Sequence, residues 1–260
     1  MSAVTLDLWH TLLYVRPEDE ERYMSAQVRI AQQALARAPL APGAHALPEE
    51  ELARLFEREY AEAVKAASEG RTVTSKEQFL RAAQHAGCVP DLDRYMSELQ
   101  AEVVALPFRR APGALELLRD LRESRYRVAV ISNTIGEPGA FLRPALTAMG
   151  FDPYVESYVF SDELPWSKPA PEIFRTALAG IHSVPREAVH VGDGWSDIEG
   201  ARRAGYRAGV LFTGLQEYGE HYRQLFASSW GQPVRPDHEV SRLEEIVPLV
   251  HELLPPGRSA

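Results

Sequence analysis

Three short runs of apolar, mostly β-branched residues each stop on side chains able to do chemistry: Val4-Thr5-Leu6-Asp7, Val128-Ala129-Val130-Ile131-Ser132 and Val189-His190-Val191-Gly192-Asp193. Such runs read as strands buried on both faces, the pattern of a parallel sheet covered by helices. Ligands of open parallel sheets gather in the crevice at the carboxyl ends of the strands. A carboxylate, a hydroxyl and a second carboxylate are therefore expected at one sheet edge, and that edge is the expected active site.

From Pro112 onward, helical and strand patterns alternate: helix Ala114 to Ser124, strand Val128 to Ile131, strand Tyr158 to Phe160, helix Pro171 to Ala179, strand Val189 to Val191, helix Asp197 to Ala204 closed by Gly205, and strand Val210 to Phe212. Alternation of this kind implies an α/β fold, a doubly wound, Rossmann-like parallel sheet with helices on both faces. The first strand is cut off from the rest by a block that is helical throughout. Pro17 and the acidic run Glu18 to Glu21 start a helix expected to reach Arg37, with Tyr23, Val28, Ile30 and Ala34 on its apolar face. Pro48 opens a second helix, carrying Leu52, Leu55, Phe56 and Tyr60 and ended by Glu69-Gly70-Arg71, and two shorter ones are expected over Ser75 to Ala86 and Asp91 to Val104. The expected organisation is a core of residues 1–14 and 109–260 with an inserted helical unit, residues 15–108. Residues 215–236 resist assignment, Val240 to Leu254 reads as a closing helix, and residues 255–260 as a frayed tail.

At 260 residues the chain has room for one core and a substantial insertion. A net charge of −9 and a pI near 5.4 speak against nucleic acid or an anionic membrane as partner, because the surface repels both. Cys88 is the sole cysteine, so no intrachain disulfide can form, and a reducing, cytoplasmic setting is expected. No basic leader for export is expected ahead of the first strand, and no run reaches the ~20 apolar residues of a membrane span. Oligomeric state has no signature here.

Asp7-Leu8-Trp9-His10-Thr11-Leu12, the strand-end Ser132-Asn133, Lys168-Pro169 and Gly192-Asp193-Gly194-Trp195-Ser196-Asp197 occur in that order. Together they resemble the four motifs of the haloacid dehalogenase-like hydrolase superfamily, including its phosphatases. The resemblance covers residues 3–11 and roughly 111–211, and the helical insertion resembles the family's cap domain between motifs one and two. It implies a hydrolase acting on a small phosphorylated metabolite with Mg2+. Asp7 suits attack on phosphorus, since an aspartyl-phosphate splits one hard displacement into two easier ones. Asp193 and Asp197 offer the hard oxygens Mg2+ accepts, although Asp197 also suits the N-cap of the following helix. The family pattern adds Asp7 and the backbone carbonyl of Trp9 as further metal ligands. Ser132, with backbone N–H groups of the Asn133-Thr134 turn, is expected to bind phosphoryl oxygens, and Lys168 to oppose the charge developing on the transferred group.

One position departs from the family. Its phosphatases usually carry an acidic residue two after the nucleophile, which protonates the leaving oxygen and later activates water; here it is Trp9, whose indole does neither. A positioned acid or base contributes roughly 10² to 10⁴ in rate, so simple alkyl phosphates are expected to react slowly. The rescues are a leaving group needing no proton, a proton from His10 or a cap residue, or a different reaction. His10 is expected to be structural and turned away from the site. Dehalogenases of the superfamily carry an aromatic residue at this position, making a metal-independent 2-haloacid dehalogenase the main rival, with Asp193 standing against it. Phosphonate cleavage would want a cap lysine, and Lys65 and Lys76 fit exposed faces better. A catalytically impaired binding or regulatory module is the remaining alternative. Glu69-Gly70-Arg71 reads as a polar helix–helix turn, Trp195 as a cleft wall or a shield for the metal, and Arg202-Arg203 as a solvated face.

Overall fold

The computed structural model describes residues 2–218 and 234–254. In chain order its strands are β1 (Ala3–Leu6), β2 (Leu13–Tyr14), β3 (Arg109–Arg110), β4 (Arg127–Ser132), β5 (Ser157–Phe160), β6 (Ala188–Gly192), β7 (Ala208–Phe212) and β8 (His238–Val240). Six of them form one parallel sheet in the order β5-β4-β1-β6-β7-β8. The chain builds outward from β1 through β4 to β5, then crosses β1 and builds outward through β6 and β7. The order therefore reverses at β1, where a crevice opens beyond the carboxyl ends of the strands.

Alternate residues of the central strands face opposite layers. Val4, Leu6, Val128, Val130, Val189 and Val191 share one apolar cluster with Leu117, Leu118 and Leu121 of helix α5 (Ala114–Glu123). Ala3, Ala129, Ile131 and Ala188 share another with Ile173, Phe174 and Ala177 of α7 (Pro171–Gly180) and with Ala201 and Ala204 of α8 (Trp195–Ala204). Each fully buried Val, Leu, Ile or Phe stabilises the fold by ~1.5–3 kcal/mol, an upper bound set by the extended-chain reference.

Between β2 and β3 lie four helices: α1 (Pro17–Arg37), α2 (Glu49–Ser68), α3 (Ser75–Ala86) and α4 (Leu92–Val104). They bury their own cluster around Ile30, Phe56, Phe79, Tyr95 and Leu99, with the Phe79 and Tyr95 rings stacked 3.7 Å apart. Pro starts α1, and a Thr74–Glu77 capping box with Gly87 at the left-handed C-cap bounds α3. The β2–β3 pair closes the neck where the chain leaves and re-enters the core. At two residues each these strands are too short for a periodic signature.

The parallel sheet flanked by helices follows the sequence expectation, which carried no strand order, with three differences in the elements. Helix α6 (Gly139–Ala148) is absent from the sequence reading because Pro144 interrupts its pattern. The expected closing helix over 240–254 is shorter: β8 ends at Val240, a single 3₁₀ turn spans Leu243–Glu245, and only Ile246–Leu253 is α-helical, here α9. His238-Glu239-Val240 is a short polar edge strand, which has no buried apolar run to announce it. The rest of the unassigned stretch, residues 219–233, and the expected tail, residues 255–260, lie outside the described residues. Among the described residues no helix is long and apolar enough to cross a membrane.

Candidate active site

The three chemistry-bearing strand ends are neighbours. The Asp7 N–H donates to the Val191 carbonyl at 2.8 Å, carrying β1's pairing with β6 one residue further, so the Asp7 side chain emerges at the crevice. Lys168, in the loop before α7, sends Nζ between two carboxylates, donating to Asp7 Oδ1 and, at 2.7 Å, to Asp197 Oδ1. Asp197 is held from two more directions. Its Oδ2 accepts the Gly194 N–H at 3.1 Å, and its Oδ1 lies 3.0 Å from His190 Nε2. A carboxylate only accepts, so His190 Nε2 carries the proton and Nδ1 accepts the Thr5 hydroxyl at 2.7 Å. Thr5 and His190 are partners in the β1–β6 register. Gly192 makes this convergence possible: a Cβ there would sit 2.3 Å from Asp197 Cγ.

The electrostatics follow from one cation shared by two buried anions. Burial raises Asp7, Lys168 opposes that, and the neighbouring Asp197 adds to the rise, leaving Asp7 above the usual carboxylate range. Burial acts the same way on Asp197, but the Lys168 charge and the His190 hydrogen bond outweigh it and hold its carboxyl well below that range. Burial works against the Lys168 ammonium, and Asp197 and Asp7 overcome it, so the lysine stays charged. Burial keeps His190 neutral, against the pull of Asp197.

Asp193 completes a group of three carboxylates. One oxygen each from Asp7, Asp193 and Asp197 lie within 4.8 Å of one another. Three hard anionic donors this compact suit a single divalent ion such as Mg2+, whose bonds to oxygen are ~2.1 Å. The group forms the floor of a cavity of about 160 Å³ whose wall includes Asp7, Trp9, Asn133, Lys168, Asp193 and Asp197. Val64 and Ala67 of α2 and Ile135 of the loop after β4 add apolar surface to its wall.

Several positions differ from the sequence expectation. Ser132 is fully enclosed at the end of β4, paired with Phe160 of β5, and does not line the cavity; the wall residue is Asn133. The Asn133 side chain grips the lysine backbone, Nδ2 donating to the Lys168 carbonyl at 3.0 Å and Oδ1 accepting its N–H at 2.7 Å. Asp197 is the third residue of α8, and Gly194 holds the N-cap. His10 was expected to turn away, yet it lines the cavity with Nδ1 3.8 Å from Asp193 Oδ2. Its φ of +55° reverses the side-chain alternation on which that expectation rested. Glu69-Gly70-Arg71 does join α2 to α3, and it also docks on the lysine loop: Ser167 N–H donates to the Gly70 carbonyl at 3.0 Å. Trp9 packs against Phe108 and, like Trp195, lines the cavity. Lys65 and Lys76 are exposed, and Arg202 and Arg203 pair with Glu199 on a solvated face.

Two features of the site were not found by sequence reasoning. His190 had a signal, a polar residue inside an apolar strand, which must find partners when buried. Glu137, buried in the loop after β4 and facing the cavity, had none.

A model of the haloacid dehalogenase-like hydrolases matches residues 1–205, and a second HAD-hydrolase-like model matches residues 165–246. The chain is 32% identical over 230 residues to a phosphoserine phosphatase of Thermus thermophilus, an alignment covering 83% of this chain and 90% of that one. Among solved structures it resembles a HAD phosphatase from Thermococcus onnurineus at a TM-score of 0.60 and 19% identity, over the full length of both chains. It also resembles a dehalogenase in an intermediate complex, at a TM-score of 0.55 and 23% identity over 96% of each chain. Phosphatases and dehalogenases thus share this fold, and the fold does not choose between them.

Proposed function

This chain belongs to the haloacid dehalogenase-like hydrolases, and from that premise we propose that it is a Mg2+-dependent phosphohydrolase of small metabolites, working through an aspartyl-phosphate on Asp7. The observation that carries this reading is the third carboxylate. Asp193 stands within 4.8 Å of Asp7 and Asp197, a cation site built beside the nucleophile. Displacing halide from a haloacid gains little from such a site. A phosphate dianion approaching a carboxylate needs one. The 32% identity to a phosphoserine phosphatase over most of both chains points the same way.

Asp7, Asp193 and the backbone carbonyl of Trp9 are the proposed ligands, with Asp197 at the edge of the set because its oxygens already serve Lys168, His190 and the Gly194 N–H. When bound, Mg2+ neutralises charge on the phosphoryl group and orients it. Asp7 attacks phosphorus. Lys168, held charged between its two carboxylates, stabilises the negative charge spreading over the transferring oxygens at no cost of reorganisation. Asn133 fixes the lysine backbone, and Ser132, whose Oγ lies 3.4 Å from the Asn133 carbonyl, supports that turn from behind the wall. The helices of residues 15–108 are read as a cap that covers the cavity and excludes water during the first step.

The test is a panel of phosphorylated metabolites and 2-haloacids assayed with Mg2+ and with EDTA. Phosphate release that EDTA abolishes is the expected result, and metal-independent halide release would replace this reading with dehalogenation. Asp7→Asn is expected to lower turnover at least ~10³-fold with its melting temperature retained. Substantial residual phosphatase activity would remove Asp7 from its role.

A further inference from the structure

We propose that Glu137 is the acid that protonates the leaving oxygen in place of the carboxylate missing at Trp9, an inference that rests on the phosphohydrolase reading above. Four carboxyls line the cavity among the described residues: Asp7, Asp193, Asp197 and Glu137. The first three are the nucleophile and the cation cluster. Glu137 stands apart, on a different loop, and is the only one of the four with no part in that cluster.

Its environment keeps a proton on it. Burial pushes the Glu137 carboxyl up to about 8, helped by Asp162 from the turn after β5 and Glu20 from α1, against hydrogen bonds from the backbone of Gly136 and Glu137. Among the described residues the groups acting on it are Glu20 and Tyr23 on α1 and Asp162 after β5, all acids or neutral donors, while Tyr60 of α2, His10 and Lys168 share the cavity wall with it. Glu20 is itself raised to about 8, chiefly by burial. His10 lies beside Glu20, Nε2 4.0 Å from Oε1. A carboxyl that holds its proton at neutral pH and can surrender it is what acid catalysis of alcohol departure requires.

The loop that carries Glu137 is held from the cap. Gln78 Nε2 on α3 donates to the Ile135 carbonyl at 2.7 Å, Ser75 Oγ to the same carbonyl at 3.3 Å, and Tyr23 Oη on α1 to the Gly136 carbonyl at 3.3 Å. Gly136 lies so close to α1 that a Cβ would sit 2.7 Å from Gln27 Oε1. The acid is therefore placed by contacts from the inserted helices α1 and α3.

The chemistry balances. In the first step an Asp7 oxygen bonds to phosphorus, the bond from phosphorus to the leaving oxygen breaks, and the Glu137 proton passes to that oxygen, so the alcohol departs neutral and Glu137 is left ionised. In the second, water attacks phosphorus and gives a proton to Glu137, and the bond to Asp7 breaks, restoring both residues. Alkyl phosphates then need not be poor substrates, contrary to what Trp9 alone suggests.

The experiment compares kcat/KM, which reports the step up to departure of the alcohol, for alkyl and aryl phosphates spanning a range of leaving-group pKa. The proteins are the wild type, Glu137→Gln and Glu137→Asp, with Mg2+ present and thermal melting as the check on folding. Glu137→Gln is expected to lower the alkyl-to-aryl ratio of kcat/KM by roughly 10²-fold or more, since an alkoxide depends on the acid far more than p-nitrophenolate does. Wild-type activity on alkyl phosphates is expected to fall as pH rises past about 8, and in Glu137→Gln that limb disappears. Should the amide variant melt early, Glu137→Asp, which keeps the acid but withdraws it by one methylene, is expected to show the same selective loss to a smaller degree. An equal loss on all substrates, or no loss, overturns the proposal while leaving the phosphohydrolase reading intact. A wild type that releases phosphate from no substrate overturns both.

Discussion

Asp197 is anchored to Lys168, His190 and the start of α8 by hydrogen bonds of 2.7, 3.0 and 3.1 Å, and this triple attachment sets where the lysine charge stands. The attachment is possible because residue 192 has no side chain. Gly192→Ala would put a methyl group 2.3 Å from Asp197 Cγ, and a buried carboxylate tied on three sides has little room to retreat. Overpacking of this sort costs ~1–3 kcal/mol. The expected outcome is a lower melting temperature together with a loss of kcat of at least ~10-fold, read by differential scanning calorimetry and steady-state assay. A variant with native kcat would show that Asp197 can move without shifting Lys168. The same buried network explains why the site sits in the sheet and not in the loops above it: Thr5, His190 and Asp197 link two adjacent strands to a helix start, and each polar atom named has a partner.

Two short segments, neither part of a strand or helix, join the helical insertion to the chemistry of the core. The turn at Gly70, φ +83°, lies against Ala170 and pairs with the loop that carries Lys168, where Thr72 N–H donates to the Pro165 carbonyl at 3.2 Å. The loop of residues 135–138 is held by Gln78, which is fully buried and also donates to the Val73 carbonyl at 3.1 Å. One α3 side chain thus ties the turn to the loop. Gln78→Ala removes both bonds, so the Val73 carbonyl loses its Gln78 donor and the Ile135 carbonyl keeps only the longer bond from Ser75 Oγ, at ~1–3 kcal/mol for a buried group. Its kcat/KM is expected to fall about 10-fold further for alkyl than for aryl phosphates, because freeing the loop disorders Glu137 while Asp7 and Lys168 stay in place. A uniform decrease measured across the same substrates would separate the loop from the proton transfer.

Across the whole molecule, acids outnumber bases, and burial raises two of those acids far above the usual carboxylate range. Glu20 and Glu137 are each raised from 4.5 to about 8. The folded protein keeps protons that the unfolded chain releases above about 4.5, so their contribution to stability is complete below that pH and is lost as pH rises through 8. Wild-type protein is expected to melt on the order of 5 °C lower at pH 8.5 than at pH 5.5. Glu20→Gln, which keeps the shape and cannot ionise, is expected to flatten much of that slope; an unchanged slope in a pH series of thermal melts would clear Glu20 of the effect. Much of this architecture was legible in the chain. The strands at 3–6, 127–132 and 188–192, the helical block after the first of them and the polar residues Asp7, Ser132 and Asp193 at strand ends follow from local patterns of buried β-branched runs and capping residues, whereas Lys168 was placed by the family resemblance, and the cavity wall takes Asn133 in place of Ser132. Helix α6, the edge strand β8 and the β2–β3 neck were not legible, because a proline, a polar edge and a two-residue length each erase the periodicity that local reading depends on. The sequence alone therefore determined the parallel sheet, its inserted helices and the kinds of chemical group at the strand ends, since these are set by residues close in the chain. Only tertiary structure decided that Lys168 bridges Asp7 and Asp197, 161 and 29 residues away, that His10 turns inward, and that Glu137 is buried among acids at the cavity. Pairing and desolvation are properties of the folded surroundings, and no spacing along the chain encodes them.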